Sequence, residues 1–405
     1  MMKKKIVIPL CGILVAVGII SMSIVRAQST NESGLERRKN QFANMLSEAL
    51  AEPYRGVVTS AGIQSGLFPV RDTGVSTKAI SDAASALLSS MSATQRIEMQ
   101  YAVDDSEWRN WSNVDLGIFP RQGISLEEMS ASQKTAAWGL LEASLSERGV
   151  EQALSIMRTD QALMELNNDS VRYGEEKYYF TIMGEPSETE PWGWQLDGHH
   201  LILNFFVLDT QVVMTPAFWG GEPVLTRSGK YPGNIVLQEE QNKGLAFIQS
   251  LTPSQQGQAI LNSIKPPENY QRAAANQDNL VIDYEGIIAR DLDSLQKLEL
   301  LNLIRTYIGN LRESHANITM DEIGKHIDNT YFAWVGSVDD DAVFYYRIHS
   351  PVILIEFDHQ SPIGSTSINE PGVTTRDHIH TVVRTPNGND YGKDLLAQHL
   401  ASHRH

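Results

Sequence analysis

A chain of 405 residues that is 41 % hydrophobic and 20 % charged, with 29 Gly and 16 Pro, has a globular balance. That balance excludes wholesale disorder, collagen-like repeats and a bundle of membrane helices. A formal charge of −16 argues against sequence-independent binding of DNA or RNA, which needs a basic face.

Lys3, Lys4 and Lys5 precede an uncharged run from Ile6 to Val25, and Val25-Arg26-Ala27 has the small-residue spacing that signal peptidase cuts. Residues 1–27 are expected to be a signal peptide. The run is also nearly long enough to cross a bilayer, so an uncleaved N-terminal anchor is the alternative. In both cases the body is expected outside the cytoplasm, since the basic residues precede the apolar run. Loss of residues 1–27 takes Lys3, Lys4, Lys5 and Arg26 from the 33 bases and none of the 49 acids, which leaves a charge of −20. Polyanionic substrates are then repelled at long range unless a local cation overrides the mean. Cys11 is the only cysteine and lies in the leader, behind a Leu10 too bulky for a lipidation site. The exported chain has no thiol chemistry, and core burial must supply its stability.

Residues 28–176 read as mainly helical. Leu35–Ala51, Thr77–Met91, Ala93–Val103 and Leu126–Met157 place apolar residues three and four apart, and Glu107–Pro120 reads as an irregular connector. Ser92…Gln95, Ser130…Gln133 and Thr252…Gln255 set Gln three residues after a hydroxyl, and Asp293…Gln296 repeats the spacing from a carboxylate. Recurrent capping boxes explain this better than a duplication does.

From 177 to 405 the pattern changes to strands. Tyr178–Met183, His200–Leu208, Val212–Pro216, Tyr331–Val335, Val343–Ile348, Val352–Phe357 and His378–Arg384 are β-branched or aromatic runs. Helical stretches at Ile235–Leu251, Pro253–Ser263 and Leu295–Leu311 separate two groups of them. Turns at 208–211 and 337–342 join neighbours closely enough for antiparallel pairing. The expected fold is α+β: an N-terminal helical region, then a mainly antiparallel sheet with inserted helices.

All 11 histidines lie at or beyond position 199. A strand through His378-Ile379-His380 points both imidazoles to one face, with Arg384 following on it. In Gly198-His199-His200-Leu201, a strand would set His200 on the face of Asn204 and leave His199 as a buried, hydrogen-bonded core residue. Glu356 and Asp358 share a face at the end of an apolar strand, where a carboxylate needs a partner, an ion or a proton. An ion pair from Glu356 to Arg347 or Arg384 is the simpler alternative. Together these strand ends point to a centre for a divalent transition metal (Zn, Fe, Mn or Cu). In it His200, His378 and His380 are ligands and Glu356 is ligand or general base. Asp358 orients an imidazole, and Arg347 and Arg384 hold an oxygen-rich or anionic small-molecule substrate. A metal-dependent hydrolase or oxygenase follows; the rival is a non-catalytic extracytoplasmic binding protein. No nucleotide, serine-hydrolase or zincin motif is present. Asp339-Asp340-Asp341 reads as a solvated turn. Trp192, Trp194, Trp219 and Trp334 either line a groove or, as strand aromatics more often do, fill the core.

At these residues the chain resembles the exported proteins of domain-of-unknown-function family 3500. The shared blocks are Gly198-His199-His200-Leu201-Ile202-Leu203-Asn204-Phe205, Thr215-Pro216-Ala217-Phe218, Tyr345 to Pro351, Ile355-Glu356-Phe357-Asp358, His378 to Arg384, and Asp390 to Leu396. The resemblance covers nearly the whole body and implies a single unit over 28–405. It also implies that His399, a few residues after the last block, returns to the site as a further metal ligand.

Overall fold

The computed structural model describes Gly34 and residues 36–402; the expected leader at 1–27, with Cys11, lies outside the described residues. Among the described residues no helix is long and apolar enough to cross a membrane.

Among the described residues ten helices form: α1 over 36–51, α2 (Lys78–Ser90), α3 (Ala93–Met99), α4 (Ala131–Ser144), α5 (Glu147–Asn167), α6 (Gln238–Ser250), α7 (Pro253–Ala259), α8 (Ser294–Ile308), α9 (Glu313–Lys325) and α10 (Lys393–Ser402). The four capping boxes all close, each cap oxygen accepting from the N–H three residues on while the Gln or its equivalent reaches back. Ser130 opens a new helix in this way. The stretch Leu126–Met157, expected as one helix, is therefore a short turn of 3-10 helix followed by α4 and α5.

Thirteen strands share one sheet: β1 (Gln100–Tyr101), β2 (Ile124–Ser125), β3 (Tyr179–Met183), β4 (Trp192–Gly198), β5 (Leu201–Leu208), β6 (Gln211–Val213), β7 (Ala217–Gly221), β8 (Ile260–Asn262), β9 (Ile287–Ile288), β10 (Tyr331–Gly336), β11 (Phe344–His349), β12 (Leu354–His359) and β13 (Ile379–Arg384). The main run is β1-β3-β4-β5-β7-β13-β12-β11-β10-β8. Pairing is antiparallel except for β1 with β3 and β8 with β10. This is the expected α+β class, although two short strands of the mainly helical region also join the sheet.

The run reads the same from either edge. The first half places α2, α3, β1, β2, α4, α5, β3, β4, β5 and β7 in chain order; the second places α6, α7, β8, β9, α8, α9, β10, β11, β12 and β13. Matching details repeat. The Gln133 amide donates to the Ser90 carbonyl and Gln95 Oε1, and the Gln296 amide donates to the Ser250 carbonyl and Gln255 Oε1. The halves meet at the antiparallel pair β7–β13. They also meet where the Ser146 N–H donates to the Asn310 carbonyl and the Arg312 N–H to the Ser144 carbonyl. The capping recurrence thus belongs to a doubled layout, which the sequence reading had ranked second.

Strand alternation divides the sheet into two faces. Trp194, Leu203, Trp219, Ile379, Phe357 and Trp334 point to the helices and belong to the larger core. Trp192, Trp194, Trp219 and Trp334 are at most 1 % exposed, so they are core and line no groove. The opposite face carries Asn204, Phe218, His380, Arg384, Glu356, Asp358 and Arg347. It is covered by the segments around Trp108, Trp111, Ala273 and Ile282 and by Tyr391 and α10, which form a second core with Phe218 and Val382.

Candidate metal centre

The centre lies at the end of the β7–β13 pair where β13 begins. His380 is the register partner of Gly220 on β7, whose N–H donates to the His200 carbonyl at 2.7 Å, so three neighbouring chains align as His200, Gly220 and His380. Strands two apart are about 9.6 Å apart, a gap that two imidazoles close only across a strand with no side chain between them. Gly220 provides that gap: a Cβ there would lie 3.1 Å from His380 Cδ2 and 3.0 Å from the Ile379 carbonyl oxygen. His378 stands one strand pleat before His380, on the same face.

Each of His200, His378 and His380 offers one ring nitrogen such that all three lie within 4.8 Å of one another, and all three side chains are buried. The rings are 4.6 Å (His378–His380), 5.0 Å (His200–His380) and 5.5 Å (His200–His378) apart between centroids. His378 Nδ1 donates to the Ser361 carbonyl at 2.8 Å, which fixes its proton there and turns the Nε2 lone pair inward. That Nε2 is 2.9 Å from His380 Nε2, while His380 Nδ1 is buried and has no hydrogen-bond partner. Two nitrogens bound to one tetrahedral ion at about 2.05 Å stand roughly 3.3 Å apart, so a shift of a few tenths of an ångström admits a cation. Burial drives the pKa values of His200 and His380 well below the ordinary imidazole value, with neighbouring imidazoles adding to the effect, so the ligating forms are present at neutral pH.

The surroundings are built to hold these rings. Glu222 lies just past the end of β7, beside His378, with Oε2 3.7 Å from Nδ1. Its carboxylate also accepts from the N–H groups of Ile363, Gly364 and Ser365 at 2.8–3.1 Å and from Ser365 Oγ at 2.7 Å. Burial pushes the Glu222 carboxyl up, but His378, Ser365 and Gly364 together pull it below its ordinary value. Asp160 on α5 meets His199 Nδ1 at 2.6 Å and accepts from the Gly174 N–H at 2.8 Å. The His199 ring then stacks on His200 at 3.8 Å.

That stacking corrects the strand reading of these two histidines. Gly198 pairs with Leu201, so His199 and His200 are the two residues of the turn between β4 and β5, and His200 adopts φ +63°. The turn brings both rings together where a strand would have opposed them. His199 is hydrogen-bonded as expected, but it is partly exposed and not a buried core residue.

The other expected site residues lie elsewhere. Glu356 accepts from Tyr345 Oη at 2.6 Å and from the N–H groups of Arg272 and Ala273. It pairs with neither arginine and binds the segment over β12. Asp358, the register partner of His380 and on the same face, is bound instead by Lys265 Nζ at 3.1 Å and the Tyr270 N–H at 2.9 Å. Burial raises its carboxyl to about 6, against the pull of Lys265. Arg347, itself buried, pairs with the exposed Glu285. Arg384 is fully enclosed by Asp278, Asp390 and two carbonyls. His399 on α10 sits 3.5 Å from Glu190, just before the start of β4, at the end of that strand away from the His199–His200 turn. Glu356, Asp358, Arg347 and Arg384 meet their need for partners away from the histidines, whose carboxylates are Glu222 and Asp160. Asp339, Asp340 and Asp341 are exposed in the turn between β10 and β11, as expected.

The reading missed Gly220, Glu222, Asp160 and Ser361. Gly220-Gly221-Glu222 was the available signal: two glycines and a carboxylate following the block at Thr215–Phe218.

His349, on the same face of β11 as Arg347, is 1 % exposed and its Nδ1 has no hydrogen-bond partner. Burial, then the Arg347 charge, holds its pKa down to about 3, with Asp283 opposing. The unfolded chain protonates this imidazole near 6.5 and the folded chain does not, so the stability it permits at neutral pH is lost as the pH falls below about 6.5. His349→Phe should therefore gain on the wild type by about 2–3 kcal/mol between pH 7 and pH 4.5. Urea denaturation at both pH values gives the difference, and an equal gap at the two would count against a neutral His349.

Comparison with curated proteins and with solved structures finds no match to either. One family profile, described as a protein of unknown function (DUF3500), matches residues 73–393, a span that holds the three histidines, Gly220, Glu222, Asp160 and all thirteen strands; the chain belongs to that family.

Proposed function

We propose that this protein is an exported metal-dependent hydrolase whose ion is held by His200, His378 and His380. The observation that carries the reading is the approach of three buried ring nitrogens within 4.8 Å, one of them oriented by Ser361. Three neutral imidazoles leave a divalent ion its full charge and an open position, the ligand set of catalytic zinc sites, and such an ion lowers the pKa of a bound water to about 7. The carboxylate that a facial iron site requires is committed elsewhere, because Glu356 binds Tyr345 and the 272–273 backbone. Among zinc and copper, which both suit imidazole, zinc fits the hydrolytic reading. Glu222 and Ser361 hold His378, and Asp160 acts through His199 to hold His200 in place. Export rests on the basic start and apolar run of residues 1–27.

Elemental analysis tests this on untagged protein ending at Leu400, which lacks His403 and His405. One equivalent of a transition metal is expected, lost together with hydrolysis of a chromogenic ester panel in the His378→Ala, His380→Ala double variant. Wild-type protein that takes up no metal after exposure to zinc and copper would show the histidines to be a structural network. Metal uptake with no hydrolysis on any ester or amide probe would favour the binding-protein reading.

A further inference from the structure

Exchange of the two halves maps the start of β13 onto the start of β7 and the β4–β5 turn onto the β11–β12 turn. The chain just before β7 (Met214, Thr215) and that second turn (Val352, Ile353) meet at the other end of the β7–β13 pair. Where the first end holds imidazoles, this end holds a partly open pocket of about 130 Å³. Ile308 and Leu311 from the end of α8 and Ile323 from α9 complete a largely aliphatic wall.

A strap over 67–73 covers part of its mouth. Leu67 and Phe68 line the space. The strap is tied down by the Arg71 N–H to Gln211 at 2.7 Å, the Thr73 N–H to Thr210 at 2.8 Å and the Gln398 amide to the Phe68 carbonyl at 2.8 Å. An ion pair between Arg71 and Glu322 joins it to α9 at the rim. Beyond them β6 contributes the half-buried Val212 and Val213.

We propose that this space is a binding site for one neutral, mainly hydrocarbon molecule of about six to eight non-hydrogen atoms, with its polar end at the Arg71–Glu322 rim. The size follows from the volume, since a dry cavity of roughly 150 Å³ lined by Leu, Ile and Phe takes one benzene. Neutrality follows from the rim. The Glu322 carboxylate is shared by Arg71 and Lys325, so a carboxylate would have to displace Glu322 and an amine would have to displace a bound cation. Thr319 Oγ1, which donates to the His315 carbonyl, can still accept a hydrogen bond without charge. His315 in the wall adds no cation near neutral pH, because burial holds its pKa down to about 4. The inference does not depend on the histidine centre.

Calorimetric titration of the exported chain with benzyl alcohol, and separately with benzoate, tests it. Benzyl alcohol should saturate one site with a Kd on the order of 1 mM or tighter, and benzoate should bind at least tenfold more weakly. Val212→Trp, which fills the space from its half-buried side, should weaken benzyl alcohol at least tenfold while the melting curve and metal content stay unchanged. Ile353→Phe gives the same readout from the opposite wall if that variant does not fold. No saturable binding to the wild type, equal binding by the filled variants, or benzoate binding as tightly as the alcohol overturns the proposal.

Discussion

Stripped of metal and titrated with zinc at pH 7, the wild-type protein should gain thermal stability up to one equivalent and no further. An ion that binds only the folded chain adds about 2.7 kcal/mol at a free concentration a hundred times its Kd. His200→Ala removes a ligand that the turn between β4 and β5 places within reach of His378 and His380, and it should weaken binding by more than a hundredfold. Glu222→Ala should cost about 10–100-fold, the usual penalty for losing a group that orients a ligand. The ordering carries the test. Equal stabilisation of wild type and His200→Ala would place the ion elsewhere, and indifference to Glu222 would remove that residue from the centre.

Arg384→Met should destabilise the fold by about 3–5 kcal/mol without changing metal stoichiometry. The guanidinium is fully buried; it donates to Asp278 at 2.7 Å, to Asp390 at 3.2 Å and to the carbonyls of Ala273 and Ala274 at 2.8 Å. Asp278 keeps Arg109 and Tyr391 as partners, so the stranded charge is that of Asp390, whose carboxyl burial already lifts to about 6 against the pull of Arg384. Without the arginine that carboxyl should protonate more readily. The deficit should therefore narrow as the pH falls toward 5, because a neutral Asp390 no longer needs a counter-charge. Chemical denaturation at pH 7.5 and 5 measures both terms. A stable variant that had lost only turnover would return Arg384 to the substrate-holding role expected of it from sequence.

His-x-His was legible because a strand has period two, and the sheet keeps that period through β13. His200 was grouped with His378 and His380 for the wrong local reason, since a two-residue turn and a strand start look alike where β4 and β5 are both apolar. The carboxylates were legible as groups in need of partners. Their partners could not be read, because backbone N–H groups at 270–273 carry no sequence signature and reach β12 only through the fold. Glu222 was hidden by its strand: Ala217-Phe218-Trp219-Gly220-Gly221 has too many glycines to resemble one, yet the bare position is what the rings require. Helix α9 was missed for a related reason, as Ser, Asn, Thr and Gly dilute its helical signal until packing against α8 decides the matter.

The palindromic order of strands has an evolutionary consequence. A polypeptide of half the length, associating with its own copy through β7, would assemble the same ten-strand run as a homodimer. In such a dimer every substitution appears twice, so imidazoles acquired at one extremity would be obliged to appear at the other. Covalent fusion lifts that obligation. Each extremity can then diverge alone, one toward nitrogen donors and its counterpart toward aliphatic walls, on a scaffold whose backbone need not change.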